Sequence, residues 1–467
     1  MTESSTKIVA GNAMALTIRM LLTTAVGLYT SRLVLDALGV ADYGIYGVVG
    51  SVVGMAAFLN TSMAGATSRF ITVELGGGDG ARLSTIFSTA FVMHLAIAAF
   101  VVVLAETLGL WFLNTRMVFP EGSMVAANVL YQLSVASAVV SFTQVPYSAA
   151  IIAHEKMGIY AKYEVVNALL KLGLVLLIVR SGSNRLILYG IAIFGLSLLG
   201  ALFFRWYCMR HFDETHLRKV RDRKVFKEML GFSGYNLLGN ACVTAKAQGE
   251  PILLNLFFGV VANAGATIAA TVTGAVGGMT TTIAQAFRPQ IMKQYAAGNI
   301  DGMQLSMRRA VSFTLCALSV VAIPFLLMPD KILWLWLGQV PPYAGVFLRF
   351  LIICALFDVI IYVNAAALQA TGNIKLLSAT TGLLSVACPI VAWFILKAGY
   401  PAWSLYAVNI AGLILIMIAG WWLIGAQIPG FNILKYIALC LLMLIGAGIL
   451  LIVIDVALQV GNMCFSK

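Results

Sequence analysis

Apolar residues in this chain come in long unbroken blocks separated by short polar interruptions, rather than in the every-other-residue alternation of a half-buried strand. A bilayer core roughly 30 Å thick takes about 20 mostly apolar residues per helix. On that measure the blocks predict thirteen spans, near 10–37, 43–73, 84–113, 124–153, 157–179, 185–207, 230–258, 262–292, 307–330, 342–370, 374–397, 402–424 and 433–456. The longer ones must tilt, bend or project beyond the hydrocarbon. Only helices and closed barrels satisfy their backbone in lipid, and unbroken runs exclude the alternating barrel pattern. The first block, IRMLLTTAVGLYTSRLVLD from Ile18 to Asp36, nevertheless carries Arg19, Arg32 and Asp36.

Composition agrees with the pattern. Hydrophobic residues make up 61% of the 467 and charged ones 10%, with a mean hydropathy of +0.95. A soluble domain of ordinary composition is far more polar. The seven cysteines include no CxxC pair, and most sit in apolar runs, so neither a disulfide framework nor a metal site is implied. The opening MTESSTKIVAGNAMAL has no convincing cleavage pattern and reads as the start of a retained span.

In a soluble chain the net charge of +12 would suggest nucleic acid, but orientation accounts for most of it. With the N-terminus inside, the inner loops and span ends hold nineteen of the thirty Lys and Arg residues, and the outer ones hold six. The positive-inside rule therefore places the N-terminus in the cytoplasm. The long polar connector, CMRHFDETHLRKVRDRKVFKE from Cys208 to Glu228, follows span six on the inner side. It reads as the joint between two halves and as a topological anchor, or else as a docking surface for anionic headgroups.

A shift of 220 residues superposes Gly11 on Gly231, Gly39 on Gly259 and Gly78 on Gly298. The expected organisation is an N-terminal six-helix bundle over 1–208, a basic cytoplasmic linker over 209–228, a C-terminal six-helix bundle over 229–424, and an additional helix with its tail over 425–467. Six spans per copy preserve orientation, so the repeat is parallel, with its axis along the membrane normal.

Cations remaining at membrane depth are Arg19, Arg32, Lys171, Lys246 and Arg349; acids there include Asp36, Glu106, Glu164, Glu250, Asp358 and Asp455. A charge facing lipid costs about 2.5–3.5 kcal/mol on insertion scales, so these groups should face one another or a cavity. Arg19 in span 1 and Lys246 in span 7 occupy comparable first helices, an arrangement suited to a phosphate. Arg32 with Asp36, and Lys246 with Glu250, are four apart and can pair along one helix face. Pro251 after Glu250 removes a backbone donor and should bend span 7. Arg69 and Arg288 close spans 2 and 8, either as snorkelling anchors or as headgroup contacts. Polar positions that could line a passage are Asn60, Thr67, Gln144, Asn167, Gln248, Thr281, Gln285 and Asn364, which could equally bond between helices.

Four stretches carry a resemblance: YTSRLVLDALGVADYGIYGVVG (Tyr29 to Gly50), ATSRFITVELG (Ala66 to Gly76), VPYSAAIIAHEKMGIYAKYE (Val145 to Glu164) and PQIMKQYAAGN (Pro289 to Asn299). They resemble the bacterial polysaccharide flippases, the Wzx-type O-antigen repeat-unit translocases of the multidrug/oligosaccharidyl-lipid/polysaccharide exporter superfamily. The resemblance implies an all-α polytopic membrane protein with two six-helix bundles in a V around a central cationic cavity, plus one extra C-terminal helix. It also implies a multi-pass inner-membrane transporter, not an enzyme. Such a protein carries undecaprenyl-diphosphate-linked oligosaccharide from the cytoplasmic to the periplasmic leaflet by alternating access.

On that reading Arg19 and Lys246 hold the diphosphate, while Arg32, Arg69 and Arg288 gate or meet headgroups. Glu250 and Asp36 are candidates for ion coupling, and Asn60, Gln144, Gln248, Thr281 and Gln285 line the cavity. No cofactor, metal or catalytic residue is expected beyond coupling to protons or sodium ions. Expected partners are the lipid-linked oligosaccharide, anionic membrane lipids, and polysaccharide polymerase and assembly proteins, with no nucleic acid. One departure stands out. Family members often show Asn-Ala-Ala-Arg at the start of span 8, where this chain has Asn263, Ala264, Gly265 and Ala266; Lys246 is then the substitute for the missing arginine. Rival readings are a cation-coupled multidrug exporter of the same architecture and, further off, a membrane enzyme of glycan assembly. No HExxH, nucleophile elbow or phosphate-cradling loop supports the latter.

Overall fold

A computed structural model describes the backbone of residues 3–77, 80–182, 184–218, 223–373 and 375–465. Their side chains are described too, except those of 3–19, 21, 157, 223, 232–233, 235–236, 279 and 455–465. The described residues are helical throughout their ordered elements, with no strand among them. Ten of their helices are long and apolar enough to cross a membrane, and one of these, Leu237–Ala296, is about two spans in length.

The chain forms two compact units, 1–263 and 264–467. The first contains α1 (Glu3–Gly54), α2 (Ala57–Gly77), α3 (Gly80–Leu104), a π-helical turn (Ala105–Gly109), α4 (Leu110–Thr115), α5 (Met124–Ala153), α6 (Met157–Val179) and α7 (Arg185–His211). The leading part of α8 (Arg223–Ala296) also belongs to it. Within it α5 packs on α7, α2 and α3, and α1 packs on α6. One apolar core gathers Phe87, Tyr147, Ile151, Phe204 and Met229; a second gathers Ile45, Leu113, Leu130, Tyr131 and Val260.

The second unit holds the remainder of α8 with α9 (Ile300–Leu327), α10 (Pro329–Leu337), α11 (Ala344–Ala370), α12 (Lys375–Lys397), α13 (Ser404–Gln427) and α14 (Ile433–Phe465). Here α11 packs on α13 and α9, α12 packs on α13, and α14 lies chiefly along α9.

Two glycines give the 220-residue shift a physical meaning. The long helices α1 and α8 are each interrupted at one residue, Gly39 (φ 74°, ψ 172°) and Gly259 (φ 72°, ψ −171°). This corner of backbone space is essentially open to glycine alone. The two matched positions therefore make the same break, and each separates two of the expected spans. Gly298 is also left-handed (φ 69°), while its counterpart Gly78 lies outside the described residues.

At the first break the Ala37 carbonyl accepts a hydrogen bond from the Arg185 guanidinium (3.1 Å), whose Nε–H also bonds the Ser181 carbonyl (3.2 Å). A cation thus covers a helix-terminal acceptor, as the dipole favours. The bend expected at Pro251 takes a different form. The non-helical residue inside α8 is Gly259, and the freed geometry beyond it lets Asn263 donate its amide to the Pro251 carbonyl (2.6 Å).

Three details depart from uniform spans. Met55 and Ala56 interrupt the second span between α1 and α2. The third span widens into a π turn, where the Ala105 carbonyl accepts both from the Leu110 backbone N–H five residues on and from the Tyr131 hydroxyl (2.8 Å). Between α9 and α11 the chain forms the short α10, stopped by left-handed Gly338 (φ 76°).

Candidate functional site

The seventh span enters the first unit through a regular face. Asn240 donates to the Ser62 hydroxyl (3.0 Å), Gln248 lies against Gly54, and the Asn255 amide both donates to and accepts from the Val118 backbone (3.1 and 2.9 Å). Positions 240, 248 and 255 recur at helical spacing, so this is one stripe. Its contacts need small partners. A Cβ on Gly54 would lie 2.9 Å from the Gln248 amide carbon, and one on Gly44 would collide with the Val260 carbonyl oxygen. Gly44 therefore lets the start of the second span and the start of the eighth touch backbone to backbone.

Lys246 and Glu250 lie two residues either side of Gln248. At about 100° per residue each is turned roughly 200° from it, so both project from the side opposite Gln248. Both are half-buried.

Other sequence candidates separate into groups. Arg32 is half-buried and Asp36 exposed on α1, and Arg69 is exposed on α2. Arg288 is exposed and donates to the Gln369 side-chain oxygen. Gln285 is exposed, whereas Thr281 is half-buried and returns its hydroxyl to the carbonyls of Gly277 and Gly278 (3.0 and 3.1 Å). Gln144 and Asn167 are half-buried on α5 and α6. The side chains of Arg19 and Asp455 lie outside the described residues.

Asn60 lines a cavity of about 280 Å³ with Tyr46, Gly54, Ser134, Ser137 and Ser141. It donates to Ser141 (3.3 Å). This hollow lies among α1, α2, α5 and α7, inside the first unit. Thr67 and Asn364 leave the set of lining groups. Both are buried, Thr67 against His94 (3.2 Å) and Asn364 accepting from the Tyr436 hydroxyl (3.1 Å).

Sequence reasoning passed over several pins that position these groups. Asn255 and Asn263 are fully buried amides in apolar runs, a visible signal, but their acceptors are 137 and 12 residues away. On the polar connector, Glu214 is buried and meets His154 (2.6 Å), whose ring stacks on Phe212 with centroids 3.9 Å apart. The connector's first turn is thus clamped to the end of α5.

A family model described as "Polysaccharide biosynthesis protein" matches residues 9–294, more than half of the chain and across both glycine breaks. The chain belongs to this family. Among solved structures it is similar to "Lipid II flippase MurJ, inward closed conformation", with a TM-score of 0.71 at 14% identity, covering 96% of this chain and 99% of that one. It is also similar to an inward-facing multidrug resistance MATE transporter of the MOP superfamily, with a TM-score of 0.64 at 14% identity over 88% and 95% of the two chains. A MOP superfamily transporter from Pyrococcus furiosus, whose binding pocket is described as having reverse polarity, gives a TM-score of 0.58 at 13% identity over 92% and 96%. These likenesses show that the chain shares the all-helical fold of those proteins, and its ten described helices long and apolar enough to cross a membrane make it a multi-pass membrane protein. No curated protein matches the sequence.

Proposed function

We propose that this family member is a flippase for undecaprenyl-diphosphate-linked oligosaccharide repeat units of the O-antigen, Wzx-type class. It would move them from the cytoplasmic to the periplasmic leaflet of the inner membrane, with its N-terminus in the cytoplasm. The observation that carries the reading is the polysaccharide-biosynthesis match over residues 9–294. Support comes from the cations that both leading helices carry at membrane depth, Arg19 and Arg32 in span 1 and Lys246 in span 7, and from fold likeness to a lipid II flippase.

In this mechanism Arg19 and Lys246 bind the diphosphate, because two cations on a doubly charged group offset the cost of bringing either into the membrane. Lys246 leaves from the helix face opposite Gln248, so it can engage a ligand while Asn240, Gln248 and Asn255 hold the helix. Glu250 on the same face is the coupling group, since protonating it would change the charge that Lys246 meets. Rocking of the two halves then exchanges the leaflet to which the site opens. The fold likeness to MATE exporters favours one rival, a cation-coupled drug exporter. Proteoliposomes loaded with a lipid-diphosphate-linked oligosaccharide, and separately with a cationic dye, distinguish the two. The proposal requires glycan translocation; dye export without it supports the rival.

A further inference from the structure

In the second unit, α14 leaves an unfilled crevice along α9. Two cavities lie there, about 410 and 550 Å³, and they meet at Ile323. The first is walled by α9, α11 and α14, with Arg349 in its lining beside Leu326, Leu444 and Gly448. The second is walled by α9, α10 and α14, with Lys331 at its edge among Val320, Leu335 and Leu450. Among the described residues, no acid lines either cavity. Arg349 is half-buried, and its Nε–H bonds the Leu326 carbonyl at the end of α9 (3.0 Å), a use that leaves its two terminal NH₂ groups to other acceptors.

Apolar voids of this size in a membrane helix bundle are filled by hydrocarbon, because lipid surrounds α14, very little of whose most apolar window is buried. Arg349 is the exception in an otherwise apolar wall. A guanidinium at this depth is costly unless an anion or a chain of polar groups meets it, and its planar fork suits a phosphate. Lys331 adds a second positive group beside the adjoining cavity.

We propose that the α9–α14 crevice is a binding site for one anionic phospholipid from the leaflet where α9 ends and α11 begins. Its phosphodiester sits on Arg349 with Lys331 near the headgroup, and its acyl chains fill the two cavities. The lipid thereby fastens α14 to the second unit. The site is independent of the transported substrate and of Lys246.

The test uses the full-length protein, delipidated in detergent and thermally unfolded with added phosphatidylglycerol, with phosphatidylcholine of the same chains, or with undecaprenyl phosphate. Phosphatidylglycerol should raise the melting temperature by several degrees more than phosphatidylcholine. Arg349→Gln should erase that difference while keeping the phosphatidylcholine baseline, and Arg349→Lys should retain part of it. Should Arg349→Gln fail to fold, Lys331→Gln, which should reduce the difference, and native mass spectrometry of wild-type adducts provide the readout. Equal stabilisation by both phospholipids, or a preference for phosphatidylglycerol that survives Arg349→Gln, overturns the proposal. A response to undecaprenyl phosphate alone overturns it in favour of a prenyl chain.

Discussion

Replacing Gly39 by alanine isolates the backbone contribution of the first break. A Cβ there meets nothing within 4 Å, so packing is not disturbed, but φ 74° with ψ 172° is a conformation that an L side chain strains to adopt. The expected cost is about 1–3 kcal/mol, against roughly a tenfold change in equilibrium for every 1.4 kcal/mol. Gly259→Ala should cost a similar amount, since its backbone angles are nearly the same and its surroundings are equally open. Gly27 supplies the contrast: it sits within α1, also with open space around its Cβ position, so Gly27→Ala should be neutral or stabilising by up to about 1 kcal/mol. Reversible denaturant titration in micelles, followed by tryptophan fluorescence, measures all three. Gly39→Ala and Gly259→Ala both matching wild type would refute the claim that matched glycines make structurally required breaks.

Further outcomes follow from individual contacts. Gly44→Ala should destabilise by more than Gly39→Ala in the same titration, because the new methyl meets the Val260 carbonyl backbone instead of open space. Asn255→Leu removes both bonds to Val118 at nearly constant size and should cost about 1–3 kcal/mol, read as a lowered midpoint. Glu214→Ala should release the connector from His154 and increase protease cleavage between 209 and 228, with little change in the helical circular dichroism of the bundle.

Much of the fold was readable because the hydrocarbon demands long apolar helices, and the thirteen expected blocks correspond to helical segments once α1 and α8 are divided at their glycines. The match of Gly39 to Gly259 was visible as spacing, but identical backbone breaks could be known only from dihedral angles. Local departures escaped the sequence for different reasons. Met55 and Ala56 are ordinary helix formers, the π turn depends on Tyr131 arriving from another helix, and α10 is too short to register as a span.

At the candidate site, helical spacing pairs Lys246 with Glu250 but does not show that Gln248 lies against Gly54. It cannot say that Asn60 points into a hollow inside the first unit, or that Thr67 and Asn364 are taken by His94 and Tyr436. Those assignments depend on partners far away in the chain. Within the Asn263-Ala264-Gly265-Ala266 departure one change gains a reason: a Cβ at Gly265 would collide with the Pro342 carbonyl oxygen, so this chain uses glycine there for a close backbone approach, which does not explain alanine at 266.

The most direct test of the diphosphate claim is a translocation assay in proteoliposomes, using a fluorescent undecaprenyl-diphosphate-linked oligosaccharide and comparing wild type with Arg19→Ala, Lys246→Ala and the double variant at equal reconstitution. Wild type should move the substrate between leaflets, with each single variant impaired and the double variant inactive. Undiminished translocation by the double variant would contradict the account.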